Sequence, residues 1–153
     1  MFDHEKLIAY QKAKETNCKM QRLLGGDKKI SNFLKDQLHR AAISMVINIA
    51  EGAGRIGKKD RRRFYVISRS SCYECASIID VLYGMNMIEE RFFIDLKTDL
   101  EEVSKLLYGL IRRLDQVQVG GRGFLHCDWD LLTCTGFCLC YQVRVQVGGR
   151  GFL

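Results

Sequence analysis

The feature that most constrains the fold is an apolar stripe between residues 93 and 114. Its members recur at alternating steps of three and four residues: Phe93, Leu96, Leu100, Val103, Leu107, Leu110 and Leu114. This spacing places them on one face of an α-helix and is typical of helices that pack in bundles. The residues between them are predicted to form a solvated face: Asp95, Lys97, Asp99, Glu101, Glu102 and Lys105.

Three earlier segments also have apolar residues at helical spacing. The first is predicted over residues 3–24, with a stripe of Leu7, Tyr10, Ala13, Met20 and Leu24, and it ends at Gly25 and Gly26. The second covers residues 31–51, with Ser31 as a candidate N-cap and a stripe of Leu34, Leu38, Ala41, Met45 and Ile49. The third covers residues 58–83, with an inward face of Phe64, Ile67, Ser71, Cys75, Ile78 and Leu82.

The chain contains no proline among its 153 residues. Because proline interrupts helix interiors, its absence suits a protein made of long helices with short connections. The sequence therefore predicts an all-α fold, an antiparallel up-and-down four-helix bundle over residues 1–115. Ser71 and Cys75 are small and predict a close approach of the neighbouring helix at their level.

Residues 116–153 have a different character and are predicted to form an irregular, cysteine-rich C-terminal tail outside the bundle. The segment VQVGGRGFL occurs at residues 117–125 and again, unchanged, at residues 145–153. A structural repeat would have three or more copies, and their sequences would differ from one another. We interpret the tail as read-through or shifted-frame sequence added to a complete domain; the alternative is a genuine hairpin or interaction tail.

The strongest charge feature is a basic cluster at the start of the third helix. It consists of Arg55, Lys58, Lys59, Arg61, Arg62 and Arg63, with Asp60 as its only acid, and Arg69 follows one heptad after Arg62. Cations at a helix N-terminus oppose the helix dipole, so a merely solvated helix start explains them poorly. With a net charge of +6, the pattern favours a polyanion such as nucleic acid as the partner.

Other constellations point to structure more than to chemistry. The glycines of residues 52–57 lack the preceding strand of a nucleotide-binding loop, so they are predicted to reverse the chain between helices. Glu51 and Glu74 could act as paired carboxylates in an RNA hydrolase, but such residues more often pair with arginines. Cys72 and Cys75 are predicted to pack inside a helix. No metal site is predicted, because His126, Cys127, Cys134, Cys138 and Cys140 lack paired CxxC spacing.

Three stretches resemble a known family: FDHEKLIAYQKA (residues 2–13), QLHRAAISMVINIAEGAGR (37–55) and KKDRRRFYVISRSSCYECASIIDVL (58–82). They look like the four-helix bundle proteins encoded in intervening sequences of bacterial 23S rRNA genes. The same family includes the accessory variability determinant proteins of diversity-generating retroelements. The resemblance covers residues 2–115 and is most specific in NIAEG-x-GR and RRFYVISRSS-x-x-EC.

The resemblance implies a non-enzymatic basic bundle that forms a homopentameric ring, binds RNA or DNA and, in retroelements, a reverse transcriptase. The residues it assigns to phosphate contact are Arg55, Lys58, Lys59, Arg61, Arg62, Arg63 and Arg69. The residues it assigns to structure are Asn48, Glu51, Gly52, Gly54 and Glu74. No cofactor is implied. The alternative is a protein–protein adaptor whose basic cluster docks an acidic partner such as a reverse transcriptase.

The N-terminal sequence MFDHEKLIAY has acidic residues where a secretory signal would carry positive charge. No apolar run is long enough to cross a membrane. We therefore expect a cytoplasmic protein without a membrane partner, whose cysteines are mostly reduced.

Overall fold

A computed structural model describes residues 2–26 and 30–116. In these ranges the chain forms four helices and no strand: α1 (Ile8–Gly26), α2 (Asn32–Gly54), α3 (Lys58–Gly84) and α4 (Glu90–Gln116). Each helix packs against its neighbours in a closed cycle, α1 on α2, α2 on α3, α3 on α4 and α4 on α1. Residues that pair across the α1–α4, α2–α3 and α3–α4 seams run in opposite directions, so the predicted antiparallel up-and-down bundle is confirmed. The duplicated segment and the tail cysteines lie outside the described residues.

The N-terminal segment differs from the predicted continuous helix. Asp3–Lys6 form a 3₁₀ turn, and Leu7 is extended with φ −78° and ψ 121°. The carbonyl of Leu7 then accepts from the backbone N–H groups of Tyr10 and Gln11, which begins α1. At the next helix the predicted cap is confirmed, because the Ser31 hydroxyl accepts a 3.4 Å hydrogen bond from the Leu34 N–H.

The α2–α3 seam is close-packed, as its small residues predicted. The hydroxyls of Ser44 and Ser71 are 2.9 Å apart, and Ser68 donates a 2.7 Å hydrogen bond to the carbonyl of Met45. Further along the seam, a Cβ atom on Gly52 would lie 2.6 Å from the Cε1 atom of Tyr65. Gly52 therefore lets the buried Tyr65 ring lie directly on the α2 backbone.

The predicted inward face of α3 is partly wrong. Ser71, Cys75 and Leu82 are buried as expected, but Ile67 is 38% exposed and Phe64 is only half-buried. The helix is rotated so that Tyr65, Ser68, Cys72 and Ile79 also face the core. The physical reason is the close α2 backbone, which accommodates a serine and a ring lying on glycine at this level and leaves the bulkier Ile67 outside.

The prediction for Asp99 is also wrong. It was expected on the solvated face of α4, but the residue is only 5% exposed. Its carboxylate lies at the α1–α4 seam, 3.0 Å from the Lys12 ammonium and 2.7 Å from that of Lys19. Burial alone would raise the pKa of Asp99, but the hydrogen bonds from Lys19 and Lys12 outweigh it and hold the pKa below its usual range. Lys12 also pairs with Glu102 at 2.9 Å, and its hydrogen bonds to Glu102 and Asp99 raise its pKa. The hydrogen bonds to Asp99 and Asp95 raise the pKa of Lys19.

Candidate nucleic-acid interface

The turn between α2 and α3 is closed by a member of the basic cluster. The Nε and Nη2 atoms of Arg61 donate to the Arg55 carbonyl at 3.2 and 2.7 Å. The Arg55 guanidinium lies 4.7 Å from the centre of the Phe64 ring and 3.6 Å from the Glu51 carboxylate. Arg55 and Arg61 therefore have structural contacts at the position where the glycine-rich segment was predicted to reverse the chain.

Three other members of the cluster are exposed side chains: Lys58, Lys59 and Arg63. Within residues 2–26 and 30–116, none of the three has an ion pair or hydrogen bond from its side chain. Asp60 lies in the same first turn of α3. One end of the bundle thus presents three cations to solvent beside the α3 N-terminus.

Arg62 and Arg69 both reach across to α4. Arg62 pairs with Asp115 at 2.6 Å, and both side chains are about half exposed (47% and 51%). Such a surface pair contributes less than about 1 kcal/mol, so it leaves Arg62 available to a phosphate at little cost. Arg69 donates to the Ser104 hydroxyl at 3.3 Å and to the Tyr73 hydroxyl at 2.9 Å.

Arg69 also joins two aromatic rings into a feature that we call the Arg–Tyr strip: Arg69, Tyr73, Tyr108 and Arg112. The Arg69 guanidinium lies 5.2 Å from the centre of the Tyr73 ring and 5.3 Å from that of Tyr108. Arg112 lies 5.8 Å from the Tyr108 ring. Both tyrosines are exposed, at 55% and 43%.

Three members of this strip, Tyr73, Tyr108 and Arg112, were not predicted from the sequence. The sequence does contain a pattern that points to the strip: two arginine–tyrosine pairs at i,i+4 helical spacing. They are Arg69 with Tyr73 on α3 and Tyr108 with Arg112 on α4. Only the register of α3 against α4, which the sequence does not display, brings the two pairs together.

The residues that the resemblance assigns to structure have different surroundings. Asn48 donates to the carbonyl and hydroxyl of Ser44, at 2.8 and 3.1 Å. Glu51 and Glu74 are both exposed, and Glu51 pairs with Arg55. Gly52 lies level with Tyr65 and the two helices are antiparallel, so Glu74 is about eight residues along α3 from the level of Glu51, roughly 12 Å. Gly54, the last residue of α2, has open space around its Cα.

The two α3 cysteines are core residues. Cys72 and Cys75 are buried and free, and the Cys72 thiol donates to the Leu100 carbonyl at 3.1 Å. Burial raises the pKa of Cys72 to about 11 against the opposing charge of Arg69, and burial also raises the pKa of Cys75. Among the described residues, no group of three or more metal-ligating side chains occurs, and no helix is long and apolar enough to cross a membrane.

The fold and this surface together define a basic, all-helical four-helix bundle. The family described as 23S rRNA-intervening sequence protein matches residues 5–109. The chain therefore belongs to that family.

A crystal structure at 1.70 Å of a protein of unknown function, from the S23 ribosomal protein family of Bacteroides thetaiotaomicron VPI-5482, has a similar fold. Its TM-score is 0.64 and its identity 19%, over 69% of this chain and 99% of that one. At this identity the likeness concerns the fold alone. No curated protein matches the chain.

Proposed function

We propose that this protein is a non-enzymatic, oligomeric nucleic-acid-binding protein that contacts the phosphates of RNA or DNA. We place it in the cytoplasm, with a role connected either to the rRNA insertion that gives the family its name or to a retroelement reverse transcriptase. The family membership supports an rRNA-related role. The observation that carries the proposal is the group of exposed cations at the start of α3.

The unpartnered state of Lys58, Lys59 and Arg63 is the reason for preferring phosphate contact over a structural role. A cation that holds a helix or a seam together has a partner in the fold, as Arg61 has in the Arg55 carbonyl. These three have none within the described residues, and like charges held together repel one another. An anionic polymer would relieve that repulsion and release its own counterions, which drives association.

The test is a fluorescence-anisotropy titration of the full chain with labelled RNA and DNA at several salt concentrations. The test variant carries Lys58→Gln, Lys59→Gln and Arg63→Gln. We expect its affinity to fall at least about tenfold and its salt dependence to become shallower, because phosphate contacts are lost.

A matched control removes three other exposed cations: Lys14→Gln, Arg22→Gln and Arg91→Gln. These residues have no ion pair within the described ranges. Lys14 and Arg22 are on α1, which does not contact α3, and Arg91 is at the opposite end of the bundle from Lys58. Both triple variants lose three charges, so an equal loss of affinity would mean that net charge, and not this site, drives binding.

Negligible binding by the unmodified chain would overturn the proposal. The basic cluster would then serve as a docking surface for an acidic protein such as a reverse transcriptase, and the protein would be an adaptor.

The absence of catalysis is proposed because Glu51 pairs with Arg55 and its backbone lies roughly 12 Å along the bundle from the level of Glu74. Incubating labelled RNA with the full chain should leave it uncleaved. Cleavage that is lost in Glu51→Gln or Glu74→Gln would contradict this part of the proposal.

Oligomerisation is supported by apolar side chains on the outer surfaces of the helices. Ile47 on α2, Val66 on α3 and Ile94 on α4 are each at least 41% exposed. Family resemblance suggests a homopentamer. Light scattering coupled to size-exclusion chromatography measures the subunit number directly, and a monomer at micromolar concentration would contradict this assignment.

A further inference from the structure

The Arg–Tyr strip has a geometry that phosphate contact alone does not use. Phosphate contact needs cations, yet here the ring centres of two tyrosines on different helices both lie within 5.3 Å of one guanidinium carbon. Both tyrosines stay about half exposed, although an aromatic ring is stabilised by burial. Flat faces of this kind, on tyrosine and on arginine, are the surfaces on which unpaired nucleic-acid bases stack.

The strip is also held in place before any ligand arrives. The Arg69 side chain is fixed by hydrogen bonds to Ser104 and Tyr73 as well as by the two rings. Because its position is already set, little side-chain entropy is lost when a ligand binds against it. A solvated arginine with no such contacts would lose more.

The strip continues directly from the basic cluster along one face of α3. Lys58, Arg62, Arg69 and Tyr73 are separated by four, seven and four residues, a spacing that keeps them on the same side of a helix. Arg62 and Arg69 both contact α4, which confirms that they share that side. The face from Lys58 to Tyr73 is about 22 Å long, which equals roughly six stacked nucleotides.

We infer that the Arg–Tyr strip stacks unpaired bases while the adjoining basic cluster holds the phosphates, so that the preferred ligand is single-stranded nucleic acid. This inference rests on the proposed function and narrows its ligand. A duplex hides its base faces inside the helix, so it can use the cations but not the tyrosines. RNA and DNA bases offer the same faces, so single strands of both bind.

The experiment compares eight-nucleotide single strands of RNA and DNA with a duplex of the same sequence, by anisotropy, using the full chain. The test variant is Tyr73→Ala with Tyr108→Ala, and the control is Tyr73→Phe with Tyr108→Phe. We expect the alanine variant to bind both single strands at least about tenfold more weakly. The phenylalanine control should stay within about twofold, because it keeps the rings that stack.

Two readouts separate stacking from a structural role. Binding of the duplex by the alanine variant should be unchanged, and the salt dependence of single-strand binding should keep its slope, because no phosphate contact is removed. Circular dichroism establishes that the variants remain folded. Equal weakening of single strand and duplex in the alanine variant would overturn the inference.

The outcome also distinguishes this inference from the proposed function. If the alanine variant binds single strands as the unmodified chain does, while the Lys58, Lys59 and Arg63 variant does not, stacking is refuted and phosphate binding stands. If the unmodified chain binds neither single strand nor duplex, both are refuted. Weaker binding to single strands than to the duplex by the unmodified chain refutes stacking alone.

Discussion

At the scale of single residues, Gly52 is the position where the α2–α3 seam tolerates least change. A methyl group there would meet the Tyr65 ring at 2.6 and 2.8 Å and the Cβ atom of Phe64 at 3.2 Å. We expect Gly52→Ala to lower the free energy of unfolding by about 1–2 kcal/mol, because overpacking outweighs the better helix propensity of alanine.

Gly54 is the matched control, since nothing lies within 4 Å of a Cβ atom placed there. Gly54→Ala should be neutral or stabilise by up to about 1 kcal/mol. Urea denaturation of the two variants measures both effects. Equal stabilities would mean that the Tyr65 ring moves aside without cost.

Asp99 carries the second residue-scale prediction. Removing its charge leaves Lys12 and Lys19 without their shared buried partner, so Asp99→Asn should cost about 2–3 kcal/mol of stability near pH 7. Asp95→Asn is the control: Asp95 is 54% exposed and, within the described residues, its ion pair is with Lys19, so its loss should cost less than about 1 kcal/mol.

The cost of Asp99→Asn should also depend on pH. The pKa of Asp99 is depressed in the folded protein, so its stabilisation is complete above the unfolded pKa of about 3.9 and is lost as the pH falls through the lower folded value. Unfolding curves of the variant and the unmodified chain should therefore converge below about pH 4. A constant difference down to pH 2 would contradict this linkage.

At the scale of whole elements, the observed orientation of α3 about its axis can be tested against the orientation predicted from its apolar stripe. The two orientations predict opposite orders of destabilisation for substitutions at residues 67 and 68. Ser68 faces the closely packed α2 backbone and Ile67 is partly in solvent. Ser68→Ile should cost about 2–3 kcal/mol through overpacking, whereas Ile67→Ser should cost about 1 kcal/mol or less. Thermal unfolding measures the loss of stability in each variant. A larger loss for Ile67→Ser than for Ser68→Ile would favour the orientation predicted from the sequence.

The helices themselves were predictable because their periodicity records burial against a shared core. The stripe of α4 and the Ser31 cap are examples. The glycine-rich segment was predicted to reverse the chain from residue 52, but α2 continues to Gly54 and the connection is residues 55–57. The prediction of which of two neighbouring residues is buried failed where the buried one is polar, because polarity alone indicates an exposed position. Ser68 and Asp99 are polar but buried, and their partners, the Met45 carbonyl and two α1 lysines, lie on other helices.

In the candidate site, too, some features could be predicted from the sequence and others could not. The basic cluster is contiguous in sequence, so composition alone finds it. Which of its members have contacts within the fold, such as Arg61, and which are left to solvent, such as Lys58, depends on side-chain geometry. The pairing of Tyr73 with Tyr108 through Arg69 depends on how α3 and α4 align, which no single segment encodes.

At the scale of the whole molecule, the prediction concerns the C-terminal tail. Deleting residues 117–153 retains all of α4 and the Arg62–Asp115 pair. The deleted segment holds three arginines and two aspartates, so the net charge of +6 falls by only one. We expect unchanged helicity, subunit number and nucleic-acid affinity, measured by circular dichroism, light scattering and anisotropy. Loss of any of the three would make the tail part of the functional protein.

The reactivity of a buried α3 thiol can report how often the helices around it separate. The thiolate is the form that reacts with alkylating reagents, and with a pKa of about 11 the Cys72 thiol is almost entirely protonated at neutral pH. Because the thiol is also buried against the Leu100 carbonyl of α4, a reagent reaches Cys72 when α3 separates from α4. Exposed Cys18 reacts throughout and serves as the reference. Mass spectrometry of the two alkylated peptides over time would thus follow the separation of these helices without any substitution in the chain.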